Sequence, residues 1–300
     1  MADESVSVLI VTYGNYEGLH QTIESVFNQD YPILELIISD DASGIPFPED
    51  VLQLLSQAKF PVRIRMGTKN LGTTAHLNFL AGMSHGTYLK FISSGDAFAN
   101  EHSLRDLVEF AKCKKTIVIC SDTAVSDLHY KTVYYRFPGP VRGKLLDCDA
   151  DRLFRIIARE NIISAVSVLF HRRFFDWFGG FDESYRLLED WPAWISIAKK
   201  NLTIPFLNQV TSLHIIGGIS TKNGNAYHSK ALRDDMRRCY QEEIIPEKDR
   251  FGFIEWRTIQ YHYGLLDSRN NHYIRLKYID LYFLDTVKSI IKKCILRCRS

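Results

Sequence analysis

Two periods of apolar residues alternate along the first half of this chain. Residues 6–13, 34–39, 62–66, 88–92 and 116–120 are runs rich in β-branched and aromatic residues. Such runs predict strands buried on both faces of a parallel sheet. Between them, apolar residues recur at helical spacing: 16–28, with Leu19, Ile23, Val26 and Phe27, then 47–57, then 72–83 opened by Gly72, then 101–112. Gly14-Asn15 supplies a turn after the first strand. Strand, helix, strand is a βαβ unit with a right-handed connection. About the first 120 residues therefore predict a doubly wound α/β half-domain.

Beyond that point the pattern is less regular. Residues 130–137 alternate as a strand that Pro138-Gly139-Pro140 breaks. A helix is predicted over 149–159, a strand over 165–170, a short helix over 171–178 closed by Gly179-Gly180, and a helix over 191–199. Strands follow near 202–207 and 210–216, and from about residue 225 the pattern is helical to the end. No internal repeat or low-complexity linker is present.

Composition narrows the class. A chain of 300 residues with 46% hydrophobic content can bury a sizeable core in one large α/β domain or two smaller ones. A net charge of +2 gives no field for nucleic acid. The six cysteines form no CxxC pair and no zinc-spaced cluster, which points to a reduced, cytosolic setting. Met1-Ala-Asp-Glu-Ser5 is not the start of a signal peptide, and no apolar run reaches the ~18 residues a membrane span needs.

Carboxylates stand where apolar runs stop. Leu34-Glu-Leu-Ile-Ile-Ser39 ends at Asp40-Asp41, and the carboxyl end of a parallel strand is where such sheets bind ligands. Ordinary strand-ending turn chemistry accounts for the same residues. Asp96 follows Ser93-Ser94-Gly95, where a turn or helix cap is the plain alternative. Glu189-Asp190 precede Trp191-Pro192, and Pro192 fits the first turn of a helix, so capping and dipole compensation would also explain this pair. After the first strand, Thr12-Tyr13-Gly14-Asn15 is neither GxGxxG nor a Walker A loop. Nucleotide phosphates would then be held another way, most simply by a metal on carboxylates. The missing glycine loops also disfavour a dinucleotide oxidoreductase and a nucleotidyltransferase.

The order and spacing of these pieces resemble the family 2 glycosyltransferases of GT-A fold. The segments are 6–13, then Ser25-Val-Phe-Asn-Gln-Asp-Tyr-Pro32, then 34–43, Asn70-Leu-Gly72 with Asn78, Gly86 to Asp96, Phe181-Asp182-Glu183, Glu189-Asp190-Trp191, and Gly217-Gly-Ile-Ser220. The resemblance covers about residues 5–221 and leaves the last 80 or so uncovered. It implies an α/β GT-A fold: a Rossmann-like, mostly parallel sheet flanked by helices, with a helical C-terminal extension. The implied domains are 1–222, with a nucleotide half of about 1–122 and an acceptor half of about 123–222, and a helical region 223–300. The implied activity is inverting transfer of a sugar from a nucleotide-sugar, UDP-sugar by default, to a hydroxyl of a growing or lipid-linked surface polysaccharide. Hexosyl and N-acetylhexosaminyl groups are the expected sugars.

Carried over by position, Thr12, Tyr13 and Asp41 would line the base pocket, with Asp40 supporting that loop. Asn70 and Gly72 would close over the nucleoside, and Asp96 would lie by the donor diphosphate. Asp190 would be the catalytic base, with Glu189, Trp191 and Asp182 on the acceptor side. The chain departs from the family at the metal motif. Aligned without gaps, Ser93 and Gly95 hold the two Asp-x-Asp positions and Asp96 the aspartate after them. A bulge at Gly95 would bring Asp96 onto the metal. Mg²⁺ or Mn²⁺ on Asp96 and His214 is thus an expectation, with a core histidine as the alternative for His214. A catalytically weak or non-catalytic nucleotide- or glycan-binding protein on the same scaffold is the competing reading. Residues 275–299 combine apolar Leu276, Ile279, Phe283, Val287, Ile291 and Ile295 with seven basic and two acidic residues. They fit a cytoplasmic protein resting on the inner face of the cell membrane, or a terminal helix packed on its own domain.

Overall fold

The computed structural model describes residues 4–14, 16–127, 130–215, 229–267 and 271–299, without the side chains of 289 and 291–299. β1 (Val6–Thr12), α1 (Leu19–Phe27), β2 (Ile33–Asp40), α2 (Glu49–Leu55), β3 (Val62–Met66), α3 (Thr73–Met83) and β4 (Tyr88–Ser93) follow the predicted alternation. The four strands are parallel in the order β3-β2-β1-β4. Residues on β1 alternate between two cores: Val8 and Ile10 pack with α1 residues Leu19 and Ile23, whereas Leu9 packs with α3 residues Leu77 and Leu80. Burial of both faces is why β1, β2 and β4 read as largely apolar runs, whereas β3, at the sheet edge, carries Arg63 and Arg65 and is partly exposed. The register pairs Val11 with both Ser39 and Ser93. The chain after β1, after β2 and after β4 therefore leaves the sheet at one level and one edge.

The doubly wound pattern ends at β4. After β5 (Ala97–Phe98) and α4 (Ser103–Lys114), β6 (Val118–Ser126) does not lie beside β4. The chain first makes β7 (Val133–Phe137), α5 (Pro140–Gly143) and α6 (Ala150–Arg159), and then β8 (Val168–His171) inserts antiparallel between β4 and β6. One sheet is therefore built from both halves of the sequence. After α7 (Arg173–Asp176) and α8 (Asp190–Lys199), the two strands expected near 202–207 and 210–216 are one, β9 (Phe206–Ile215), parallel to β6 and antiparallel to β5. The exposed polar pair Asn208-Gln209 sits where the β6–β9 register shifts, so a bulge reads in the sequence as a break.

The helical C-terminal region comprises α9 (Lys230–Cys239), α10 (Phe253–Leu265), α11 (Asn271–Lys277) and α12 (Ile279–Arg299). It is packed onto the sheet domain: Tyr240 meets Trp191 edge to face at 5.0 Å, and Asp235 accepts a 2.6 Å hydrogen bond from the Leu187 amide. Leu276, Ile279, Phe283 and Ile290 are exposed. Among the described residues no helix is long and apolar enough to cross a membrane. The Gly217-Gly-Ile-Ser220 segment and the side chains of Ile291 and Ile295 lie outside the described residues.

Candidate functional site

The loops at the common strand edge are held by carboxylates. Beyond β1, Tyr13 is 57% exposed and free to present a ring face, while Thr12 is buried. Gly14, at φ +87°, donates its amide to Ser43 Oγ at 2.7 Å. Asp40 accepts from the Ser43 amide at 2.7 Å and from the Ser43 hydroxyl. Asp40 therefore braces the turn that follows β2, across from Gly14.

Asp41 is only 3% exposed. Its Oδ1 accepts from the Leu71 amide at 2.9 Å and its Oδ2 from the Gly72 amide at 3.0 Å, while its carbonyl accepts from Asn70 Nδ2 at 3.2 Å. The carboxylate expected to face a base is thus also the clamp on the 70–72 loop, with one lone pair per oxygen left over. Gly72 has φ +85°, and a Cβ there would meet Arg186 Cγ at 2.7 Å and Arg186 O at 2.8 Å. Only glycine permits both. The Arg186 guanidinium also donates to Asn70 Oδ1. The loop expected over the nucleoside is therefore tied to Arg186, four residues before Asp190, at most about 14 Å of extended chain away.

The turn after β4 gathers around Asp96. Thr22 donates to the Asp96 carbonyl at 2.7 Å and accepts from the Gly95 amide at 3.0 Å, and Tyr130 donates its hydroxyl to the Gly95 carbonyl at 2.7 Å. Asp96 Oδ1 and His214 Nδ1 are 2.7 Å apart. Burial opposes the charged imidazole, but the Asp96 carboxylate and the hydrogen bond to it hold the His214 pKa above the ordinary value. Beneath them, Lys90 is fully buried on β4, with its ammonium on the Val166 and Val168 carbonyls. Burial pushes its pKa down to about 7 against the opposing pull of Asp96.

Among the described residues no group of three His, Cys, Asp or Glu could hold a metal. The donor set here is one carboxylate and one imidazole, already bonded to each other. It fits a cation whose remaining ligands are phosphate oxygens and water, the usual habit of Mg²⁺. It does not fit an all-protein cage.

Glu189 and Asp190 stand at the N-terminus of α8, half-buried. Asp190 Oδ2 accepts from Asn161 Nδ2 at 2.7 Å and Oδ1 from the Trp191 amide at 2.6 Å. Burial raises the Asp190 pKa, and these two hydrogen bonds oppose the rise. Burial, with the neighbouring Asp190 charge, pushes Glu189 up to about 8. Asn161 follows the end of α6 and Asp190 opens α8, so the packing of these two helices sets the pair's geometry.

Trp191, expected as an acceptor platform, is corrected to a core residue. It is 3% exposed, and its indole N–H donates to the Ile157 carbonyl at 2.7 Å. The side chain of the second helical residue faces α6 and leaves no ring face for a sugar. Asp182 is exposed in a turn, accepts from the Ser184 amide at 2.9 Å, and lines a cleft of about 200 Å³ with Gly180, Pro192 and Glu243.

Three residues escaped the sequence reading. Lys90 had a signal, since a lysine inside a doubly buried strand is rare. Arg186 and Asn161 sit in irregular segments between helices and had none.

Comparison with known proteins fits this geometry. The family model described as Glycosyl transferase family 2 matches residues 7–155. An uncharacterized glycosyltransferase of Rickettsia bellii is 28% identical over 235 residues, covering 76% of this chain and 31% of that protein. The poly(ribitol-phosphate) beta-N-acetylglucosaminyltransferase TarP of Staphylococcus aureus is 36% identical over 115 residues, covering 36% of this chain and 33% of that protein. The chain thus spans about a third of the length of these curated relatives. Among solved structures, S. aureus TarS 1-349 in complex with UDP-GlcNAc aligns over 93% of this chain and 89% of that one, with a TM-score of 0.56 at 15% identity. The mannosyltransferase PcManGT of Pyrobaculum calidifontis, in complex with GDP-Man and Mn²⁺, aligns over 87% and 69%, with a TM-score of 0.54 at 14% identity. At such identities these structures show a shared fold.

Proposed function

This chain carries a glycosyltransferase family 2 domain on a GT-A fold, and on that premise we propose that it transfers a sugar from a nucleotide-sugar to an acceptor hydroxyl with inversion. The observation that carries the reading is the Glu189–Asp190 pair. Its carboxylates are set half-buried at the start of α8, with raised pKa values and Asn161 holding Asp190 in place. Carboxylates pushed upward toward neutrality are suited to accept a proton.

In the proposed step, Asp190 takes the acceptor's O–H proton as that oxygen bonds to the anomeric carbon from the face opposite the donor. The bond from the anomeric carbon to the diphosphate breaks, and the nucleoside diphosphate leaves with the electron pair. A single in-line displacement inverts the centre. Tyr13 stacks on the base, beside Thr12 and the remaining lone pairs of Asp41, and the Asn70–Gly72 loop covers the nucleoside. The diphosphate lies against Asp96 and His214. Mg²⁺ or Mn²⁺, held by Asp96 with His214 beside it, would supply charge to the departing diphosphate. The acceptor enters by Glu189 and Asp182. A UDP-sugar donor, by analogy with TarS in complex with UDP-GlcNAc, and a polymer acceptor, by analogy with the poly(ribitol-phosphate) transferase TarP, are the default. The exposed Leu276, Ile279 and Phe283, next to basic Arg275 and Lys277, would rest on the inner membrane face.

The test is calorimetry of UDP and GDP with and without Mn²⁺, followed by hydrolysis of the matching nucleotide-sugar. Binding of one nucleotide with slow hydrolysis of its sugar supports transfer. Nucleotide binding with no turnover of any UDP-, GDP- or dTDP-sugar supports the non-catalytic reading, which Ser93 and Gly95 at the Asp-x-Asp positions favour. No nucleotide binding overturns both.

A further inference from the structure

Away from the strand edge, α6 carries a second set of charges. Arg152, Arg155 and Arg159 recur at spacings of three and four, which places them on one helical face. Together with Leu145, Ile156 and Glu255 they line a cleft of about 210 Å³. Neighbouring arginines outside the cleft are paired: Arg142 with Glu160 at 2.8 Å and Arg250 with Asp151 at 2.7 Å.

The three in the cleft are undercompensated. Among the described residues Glu255 is the one acid lining it, 3.6 Å from Arg155 and 4.0 Å from Arg159, and Glu255 also accepts the Gly252 amide at 3.1 Å. Arg155 Nε is buried without a hydrogen-bond partner; Asp151, 3.3 Å away, is off-line and already engaged by Arg250. Arg152 is exposed and makes no ion pair among the described residues. A concave site with three guanidinium groups, one shared carboxylate and an orphaned N–H is built for an anion with several oxygens.

We propose that this cleft binds a phosphate group of an anionic, phosphodiester-containing acceptor. The proposal rests on the transfer reading above and names the acceptor's class. The argument for acceptor over any other anion is connectivity. Arg152 to Arg159 spans about 10 Å of helix, and Asn161, which holds Asp190, is two residues further on. Helix α6 thus carries the anion row, and the chain leaving its C-terminal end carries Asn161, which holds the base. A polymer with regularly spaced phosphates could seat one in the cleft while a neighbouring hydroxyl reaches Asp190.

The test uses the full chain saturated with UDP, so that the donor site is filled, and tripolyphosphate as the probe in calorimetry. The wild type should bind tripolyphosphate at one site, with affinity falling as salt rises. The double variant R152Q/R159Q should bind it ~10-fold or more weakly, with UDP binding and circular dichroism checking its fold. Equal binding by variant and wild type overturns the proposal, as does absence of binding in the wild type. Sedimentation with phosphatidylglycerol vesicles separates the sources. Vesicle binding that needs Arg152 and Arg159, with tripolyphosphate binding unaffected by the variant, assigns the cleft to lipid headgroups and overturns the acceptor assignment. The two readings fail separately: tripolyphosphate binding without nucleotide binding or donor hydrolysis leaves the cleft standing and removes transfer, whereas the reverse removes the cleft alone.

Discussion

Two pairs of adjacent carboxylates, Asp40–Asp41 and Glu189–Asp190, look alike in the sequence and live in opposite surroundings. Around the first pair the chain folds back to donate. The amides of Ser43, Leu71 and Gly72 and the Ser43 hydroxyl all point at its oxygens. Four donors on two carboxylates make the pair a brace for two loops. The second pair has the Asn161 side chain and the Trp191 amide on Asp190, and burial that raises the pKa of both acids. One pair uses charge to hold backbone. The other keeps basicity available. The proposed proton transfer is placed on the second pair, because burial raises the pKa of both its acids.

The largest effect that would break this contrast is on turnover. Asp190→Asn keeps the size and one hydrogen-bond acceptor but cannot take the acceptor's proton. Transfer should fall by ~10²–10⁴-fold or more, with UDP affinity within error of wild type by calorimetry. Turnover near the wild-type value would remove Asp190 as the base.

The second effect is on stability and belongs to the first pair. Asp41→Ala leaves the buried Leu71 and Gly72 amides without their acceptor, each costing ~1–3 kcal/mol. Unfolding by urea should show a loss of about 2–6 kcal/mol, and nucleotide affinity should fall because the 70–72 loop is released. A variant as stable as wild type would mean that the clamp is replaceable by water. Asp190→Asn should cost less, since its amide oxygen still accepts from one of the two donors, Asn161 Nδ2 or the Trp191 amide, whereas Asp41→Ala removes both acceptors.

How much of this was open to the sequence depends on the range of the interaction. The strands β1, β2 and β4 were legible because burial on both faces writes itself into consecutive residues. The insertion of β8 between β4 and β6 was not, because four residues, Val168–His171, gain their place only from partners far off in the chain. Asp40 and Asp41 could be located at a strand end, but the dependence of Asp41 on residues 71 and 72 is set by a loop closing over 30 residues. Trp191 was misjudged for a related reason. At the start of a helix an aromatic residue can face either way, and only the docking of α6 decides that it points inward. Lys90 interrupts an apolar strand in plain view, yet what it touches, the carbonyls of Val166 and Val168, is again remote.

The smallest effect sharpens the contrast by pH. A carboxyl whose folded-state pKa is raised holds its proton in the native protein over a range where the unfolded chain has lost it. For Glu189 that range runs from the ordinary value of 4.5 to about 8. The stability this supports is complete below 4.5 and is lost as pH rises through about 8, where the folded protein must accept a half-buried charge beside Asp190. Glu189→Gln removes the charge and keeps the shape. The variant should match wild type in thermal unfolding at pH 4 and gain over it progressively toward pH 8.5, by on the order of 1 kcal/mol after allowance for partial exposure. Because Glu189 already holds its proton below about 8, the variant should leave the acid limb of the pH–rate profile, set by Asp190, where it is in wild type. A pH-independent stability difference between variant and wild type would show that Glu189 does not feel the Asp190 charge, and the contrast with Asp40–Asp41 would then rest on Asp190 alone.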